Sequence, residues 1–115
     1  MTRVLVCGGR NYDDVRTFVS TLDSIHNDRK ITQIIHGGAR GADSLADTWG
    51  ELTGVPVKCF PANWKSLGRV AGPIRNSLML EEGKPDLVVA FPGGFGTANM
   101  VRQARKAGIH VIKVD

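Results

Sequence analysis

The sequence is poor in the residues that build disulfide frameworks, zinc sites and membrane spans. Its 115 residues include two cysteines, too few for a disulfide network or, by themselves, a four-ligand zinc site. No apolar run approaches the roughly 20 residues needed to cross a bilayer. The apolar stretch that ends at Gly8 is also too short for a signal peptide. We therefore expect a cytoplasmic protein with no membrane partner, no metal and no cofactor.

Features of a nucleic-acid surface are equally scarce. Aromatic residues make up 6% of the chain, and no run of Lys or Arg exceeds two residues. Single-stranded nucleic acids are usually bound on aromatic platforms along a continuous basic track. The net charge is +4, and residues 58–115 carry nine Lys or Arg against four Asp or Glu. This distribution favours a small anion over a nucleic acid as the partner.

Two common nucleotide-binding motifs are missing as well. The first glycine-containing loop, Cys7–Asn11, lacks the G-x-G-x-x-G pattern, and the chain contains no G-K-[ST]. A dinucleotide-dependent dehydrogenase and a P-loop NTPase are therefore both disfavoured.

Short apolar runs alternate with amphipathic stretches along the chain. The predicted strands are residues 4–7, 33–36, 57–60, 87–91 and 109–114, and the predicted helices are 15–25, 42–52, 71–80 and 97–107. Thr97 is expected to cap the last helix, and glycines 50, 54, 83 and 108 to end helices. This alternation predicts right-handed βαβ units. We expect an α/β fold over residues 1–115: a single Rossmann-like three-layer sandwich, with a five-stranded parallel sheet of order 3-2-1-4-5 and helices on both faces.

Glycine is the abundant residue, with 14 copies. Ten of them fall in four loops that follow predicted strands, at positions 8, 9, 37, 38, 41, 68, 72, 93, 94 and 96. Ligands of open parallel sheets bind beyond the carboxyl ends of the strands, where glycine lets backbone N–H groups approach an anion. Arg10, Arg40 and Arg69 lie in three of these loops, and Arg75 follows early in the third predicted helix. Because Arg matches phosphate oxygens with a rigid fork, the pattern predicts a phosphate cradle.

Other side chains are candidates for the rest of a ligand. Asp43 could contact a ribose hydroxyl or act as an acid or base, or could simply complement its helix dipole. Trp64, in the long connection 61–70, could stack on a base or anchor that loop. His36 has no carboxylate partner visible in the sequence. Cys7 and Cys59 are predicted to be small buried hydrophobes.

The glycine motifs carry a resemblance to a known family. The relevant segments are Gly8-Gly9-Arg10, His36–Asp43, Pro61–Trp64, Gly68–Asn76 and Pro92-Gly93-Gly94-Phe95-Gly96-Thr97. Through them nearly the whole chain resembles the YspA-like branch of the SLOG superfamily, which also includes the Lonely Guy phosphoribohydrolases and the DNA-processing protein DprA. The resemblance implies a nucleotide-derived ligand with its phosphates on residues 93–97. The full predicted binding set is Gly8, Gly9, Arg10, Gly37, Gly38, Arg40, Gly41, Asp43, Trp64, Arg69, Arg75, Asn76, Pro92, Gly93, Gly94, Gly96 and Thr97.

The sequence departs from the Lonely Guy pattern at a catalytic position. In those enzymes the motif continues as PGGxGTxxE after an earlier Arg-Lys pair. Here Met100 replaces the Glu, and the pair is matched only by Arg75-Asn76. The resemblance leaves open whether the chain is an enzyme.

Three functions are therefore carried forward. The leading one is binding of an adenine nucleotide, ADP-ribose or a related signalling nucleotide. The second is N-glycosidic hydrolysis of nucleoside phosphates with Asp43 as the catalytic group, and the least favoured is single-stranded DNA binding by analogy with DprA. Because relatives are often dimers, a homodimer or higher homo-oligomer is also expected.

Overall fold

Five strands form one parallel sheet in the computed structural model, which describes residues 1–115. They are β1 (Thr2–Cys7), β2 (Ile31–His36), β3 (Val57–Cys59), β4 (Leu87–Ala90) and β5 (His110–Lys113). Their order is β3-β2-β1-β4-β5, and each neighbouring pair is parallel. The predicted Rossmann-like α/β architecture and strand order are confirmed.

Helices cover both faces of this sheet. They are α1 (Val15–Asp28), α2 (Ala42–Thr53), α3 (Trp64–Leu67), α4 (Ala71–Gly83) and α5 (Phe95–Lys106), with a 3-10 turn at Gly68–Val70. On one face Phe18 and Leu22 of α1 and Trp49 of α2 pack against β1, β2 and β4. On the other face Met79 of α4 and Met100 of α5 pack against the same strands. Successive residues of β1 and β4 point to opposite faces of the sheet and pack into the two cores in turn. This is why the sequences of these strands are unbroken apolar runs.

Two predicted helix boundaries are wrong. Thr97 does not cap α5, because the helix begins at Phe95 and its N-cap is Gly94. Gly50 does not end α2 but lies within it, and the helix ends at the other predicted stop, its C-cap Gly54. Gly83 is the last residue of α4. A Cβ would press on Val57 at Gly50 and on Ile35 at Gly83. Glycine at these two positions lets each helix approach the sheet closely.

The edge of the sheet corrects a prediction about cysteine. Cys7 is buried in the central strand β1, whereas Cys59 is exposed, because β3 is a short strand at the sheet edge. Cys59 is therefore not a core residue. No helix of the protein combines the length and the apolar character that crossing a bilayer requires.

Candidate functional site

A cleft of about 730 Å³ lies beyond the carboxyl ends of β1, β2 and β4. This is the point at which the strand order reverses between β1 and β4, the usual ligand-binding crevice of an open α/β sheet. The loops after these three strands line it, together with the beginnings of α2, α3 and α5 and the middle of α4. Its lining includes Gly8, Gly9, Arg10, Gly37, Gly38, Arg40, Asp43, Trp64, Arg75, Asn76, Gly94, Gly96 and Thr97, all from the predicted binding set.

The backbone of Gly9 ties the three strand-end loops together. Its N–H donates to the carbonyl oxygen of Pro92 at 2.8 Å, and its own carbonyl accepts from the N–H groups of Tyr12 and Ala42. Gly41 lies against this carbonyl with φ = 73° and ψ = −123°, a conformation open to glycine and strained for other residues. Part of the glycine pattern therefore packs loop against loop.

The N-terminus of α5 presents backbone donors to the cleft. Its N-cap, Gly94, has no side chain to offer, and the N–H groups of Phe95, Gly96 and Thr97 have no acceptor in the protein. A Cβ on Gly94 or Gly96 would meet no protein atom within 4 Å, so packing within the protein does not require glycine at either position. Free N–H groups at the positive end of a helix form a site suited to anions.

Arg75 lies in the cleft beside the loop that follows β2. Its Nη1 donates to the carbonyl oxygen of Gly37 at 2.7 Å, and its Nε donates to Oδ1 of Asn76 at 3.0 Å. A Cβ on Gly37 would overlap the guanidinium group, so only glycine at this position lets the side chain of Arg75 pack directly against the backbone of the loop. Two of the five guanidinium N–H donors are used in this way, which orients the remaining ones. Burial lowers the pKa of Arg75, although the nearby Asp43 opposes that shift.

Asp43 is a buried carboxylate at the start of α2. Its Oδ2 accepts hydrogen bonds from the N–H groups of Gly37 (3.2 Å) and Ala39 (3.1 Å), while no hydrogen bond from the protein reaches Oδ1. Burial raises the pKa of Asp43 above its ordinary value of 3.8, against the lowering effect of the Ala39 hydrogen bond. Asp43 thus shapes the β2 loop and keeps one oxygen available in the cleft.

The raised pKa of Asp43 predicts a pH-dependent stability difference. The folded protein holds this proton more tightly than the unfolded chain, so the contribution is complete below about pH 4 and is lost as the pH rises through the folded pKa. Asp43→Asn keeps an oxygen that can accept from the two N–H groups, and its side chain does not titrate. Its melting temperature relative to the natural protein should therefore increase from acid to neutral pH. A difference that stays constant or shrinks over this range would contradict the assignment.

His36 has a structural arrangement that leaves neither ring nitrogen free. Its Nδ1 accepts the N–H of Gly38 at 2.9 Å, so Nε2 carries the proton and donates it to Oδ1 of Asp47 at 2.5 Å. Asp47 lies one helical turn after Asp43. The carboxylate partner missing from the sequence interpretation is therefore present, and His36 serves to hold the β2 loop.

Two aromatic side chains stand at the mouth of the cleft. Trp64 is half-exposed, its ring lies over Gly72, and the guanidinium of Arg10 lies 6.0 Å from the ring centroid. Phe95 is 97% exposed although it begins a helix beside the glycine motif. Arg40 is exposed on the opposite loop. These side chains provide apolar faces and positive charge around the entrance.

Four residues of the predicted set lie outside the cleft lining. Gly41 is packed against the β1 loop, and Arg69 is exposed in the 3-10 turn. Pro92 and Gly93 line a separate depression of about 620 Å³ on the β5 side of the motif loop. Asn76 does line the cleft, but it is buried and its Nδ2 donates to Gly96 and Asn99. Its amide fastens α4 to the beginning of α5.

Neither Cys7 nor Met100 supplies a nucleophile or base to the cleft. Burial raises the pKa of the Cys7 thiol to about 12, so it stays protonated at neutral pH. Met100, at the position of the Lonely Guy glutamate, lies on the face of α5 that packs against the sheet; it is fully buried and does not line the cleft. Asp43 is the only carboxylate in the cleft lining.

Three contributors were missed by the sequence interpretation. The sequence signal for Phe95 is a large apolar residue inside the glycine motif, at the start of a helix. The signal for Asp47 is its spacing of one helical turn from Asp43, which places both on the same face of α2. Asn99, the partner of Asn76, carried no signal, because a contact between α4 and α5 depends on how the two helices pack.

Comparison with known proteins agrees with this architecture. The family model described as "YspA, cpYpsA-related SLOG family" matches residues 2–66. The chain is also 40% identical over 120 residues to the "Gene 61 protein" of Mycobacterium phage D29, covering 97% of this chain and 95% of that protein. The family match runs from β1 into α3. It includes the loops that carry Gly9 and Gly37, the latter being the hydrogen-bond partner of Arg75, and it includes Asp43 at the start of α2. This chain belongs to the YspA, cpYpsA-related SLOG family.

Proposed function

We propose that this protein binds a small nucleotide-derived ligand in the cleft, in the cytoplasm. An adenine nucleotide, ADP-ribose or a related signalling nucleotide fits the chemistry best. The phosphate would lie on the N-terminus of α5, and Arg75, Arg10 and Arg40 would neutralise its charge.

The observation that carries the proposal is the unpaired start of α5. Three consecutive N–H groups face the cleft without acceptors, and the two glycines beside them leave the approach open. Arg75 lies in the same cleft with its fork held by Gly37 and Asn76. Backbone donors, a helix dipole and an oriented guanidinium are the combination that recognises phosphate oxygens.

The remaining groups suit the other parts of a nucleotide. The free Oδ1 of Asp43 can accept a hydrogen bond from a sugar hydroxyl. Trp64 and Phe95 offer exposed rings on which a base can stack. A volume of about 730 Å³ lies within the usual range of roughly 300–1,000 Å³ for small-ligand sites.

A thermal-shift screen across nucleosides, nucleotides and dinucleotides tests the proposal. We expect ligands that carry phosphate to raise the melting temperature, and the matching nucleosides to have little effect. Chromatography of the same samples detects any cleavage. The proposal fails if no phosphate-bearing compound shifts the melting temperature, or if nucleosides do so equally well.

Gly96→Ala is expected to separate stability from binding. Alanine is a better helix former than glycine, and its Cβ meets no protein atom within 4 Å, so the variant should melt at a higher temperature. The same methyl group would stand beside the N–H groups of α5 and weaken nucleotide binding. The matched control is Ser20→Ala on the exposed surface of α1, which should leave affinity unchanged. Full affinity in Gly96→Ala would contradict the placement of the phosphate.

Asp43 favours a second candidate, N-glycosidic hydrolysis. Its carboxyl holds its proton to higher pH than an ordinary aspartic acid, and one of its oxygens is free in the cleft. Such a group could protonate the base as the N-glycosidic bond breaks, and the water that adds to the sugar carbon would return a proton to the carboxylate. This function predicts free base on incubation with nucleoside phosphates, and its loss in Asp43→Asn. If none of the nucleotides that bind releases its base at high protein concentration, this function is excluded.

A further inference from the structure

A second depression lies outside the cleft, on the β5 side of the loop that carries the glycine motif. Its volume is about 620 Å³, within the usual range of roughly 300–1,000 Å³ for small-ligand sites. Small residues leave room for it, with Ala90 at the end of β4, Gly93 in the motif loop and Ala98 on α5. We call this cavity the β5 depression. Its basic lining residues are Arg102, Arg105 and Lys113.

These basic side chains reach the β5 depression from two elements. Arg102 and Arg105 lie three residues apart on α5 and therefore share one face of that helix. Lys113 is the last residue of β5, and Val111, two positions earlier, packs in the core on the α5 side of the sheet. Because side chains alternate along a strand, Lys113 lies on that same side. The helix and the strand therefore bring positive charge to one place.

No ion pair within the protein uses these basic side chains. The ion pairs in the structure join Arg3 to Asp86 and His36 to Asp47. Asp115 also lines the β5 depression, but its carboxylate pairs with none of the three basic side chains. Three positive side chains around one carboxylate side chain leave the depression positively charged.

The dipole of α5 accounts for only part of this charge. Arg105 and Lys106 lie in the last turn of the helix, where positive charge is stabilising. Arg102 lies before that turn, Lys113 lies on the sheet, and Lys106 does not line the β5 depression. The arrangement of the three lining charges therefore follows the depression and not the helix end.

We propose that the β5 depression is a second anion-binding site, which takes a compact phosphate-bearing anion with several negative charges, such as pyrophosphate or the diphosphate end of a small molecule. Two guanidinium groups from one helix face match phosphate oxygens, and the lysine adds a point charge from the strand. Three positive charges suit such an anion better than a singly charged one. Pro92 and Gly93, predicted from the sequence to bind ligand, line this site. The inference does not depend on the ligand of the cleft.

Titration of the ¹⁵N-labelled protein with pyrophosphate, followed by nuclear magnetic resonance, tests the site. The amide signals of Lys113 and Val114 report on the β5 depression, whereas those of Phe95 and Gly96 report on the cleft, because neither pair lines the other cavity. We expect the signals of Lys113 and Val114 to move along a saturable curve, and the affinity to fall as salt is added. Arg75→Ala, which changes the cleft alone, should leave these two curves unchanged.

Variants of the basic residues test which groups hold the anion. Arg102→Ala combined with Arg105→Ala should weaken the affinity measured at Val114 roughly tenfold, because two of the three lining charges are lost. Lys113→Ala should weaken it as well, since the strand then supplies no charge. Lys106→Ala is the matched control: it removes an exposed cation of the same helix that lies outside the depression, and its affinity should be unchanged. All four substituted side chains are exposed, and circular dichroism checks that each variant is folded.

Several outcomes would overturn the proposal. If the signals of Lys113 and Val114 stay in place at millimolar pyrophosphate, or lose their movement in Arg75→Ala, the β5 depression is not a separate site. Unchanged affinity in the double arginine variant, or an equal loss in Lys106→Ala, would mean that the anion responds to the general surface charge. A short single-stranded oligonucleotide that moves these signals at lower concentration than pyrophosphate would identify a nucleic-acid surface instead.

Discussion

Arg75→Ala should reduce nucleotide affinity by roughly 30-fold to several thousand-fold, the equivalent of about 2–5 kcal/mol. The size of the effect follows from the position of the side chain, which lies partly buried in the cleft with its fork oriented by Gly37 and Asn76. Removing it takes away a charge-assisted donor in a site with reduced solvent screening. Titration calorimetry with the best ligand of the screen measures the change.

Two further variants separate charge from geometry in this experiment. Arg75→Lys keeps the positive charge but loses the planar fork, and its affinity should fall between those of the natural protein and Arg75→Ala. Arg29→Ala removes an exposed arginine between α1 and β2, at the amino ends of the strands and so away from the cleft. This variant should bind normally. Because Arg75→Ala also leaves the Gly37 carbonyl without its donor, the melting temperature of each unliganded variant is recorded. Normal affinity in a folded Arg75→Ala protein would show that the phosphate lies elsewhere.

Gly41→Ala should lower the free energy of unfolding by roughly 3 kcal/mol or more. Its φ of 73° and ψ of −123° belong to a region that costs other residues about 1–3 kcal/mol. The new Cβ would also overlap the carbonyl oxygen of Gly9, which joins the β1 loop to α2. The loop would have to move to accommodate the methyl group, and overpacking of this kind costs about 1–3 kcal/mol more.

Gly54→Ala is the matched control for backbone strain. Gly54 has φ = 75° and ends α2 in the left-handed conformation, but a Cβ there meets no atom within 4 Å. Its substitution should cost only the strain, about 1–2 kcal/mol. Urea denaturation of the two variants compares the losses. Equal losses would mean that the contact between Gly41 and the β1 loop contributes nothing.

The sheet was predictable because its signals are local. The apolar runs of β1 and β4 belong to buried strands that are covered on both faces. The glycine loops follow strands of one parallel sheet, so these loops lie together at the carboxyl ends of the strands. Helix ends were harder to predict. Thr97 is a good capping residue, yet α5 begins two residues earlier, at Phe95, with Gly94 as its N-cap and no side-chain cap hydrogen bond.

The inner detail of the site depends on contacts between distant parts of the chain. The sequence indicates that Arg75 and Asp43 stand near the cleft, but the hydrogen bond from Arg75 to Gly37 joins residues of different βαβ units. Cys59 was misjudged because the apolar character of β3 does not reveal that it is an edge strand. Periodicity identifies elements and faces, whereas the neighbours of a loop follow from tertiary packing.

The central claim is that the first N–H groups of α5 hold phosphate. Nuclear magnetic resonance of the ¹⁵N-labelled protein tests it directly, through the amide signals of Phe95, Gly96 and Thr97 during titration with a nucleotide and with its nucleoside. We predict that these three signals move markedly with the nucleotide and stay in place with the nucleoside. If they stay in place while the nucleotide binds, or move equally with the nucleoside, the phosphate is not held by this helix.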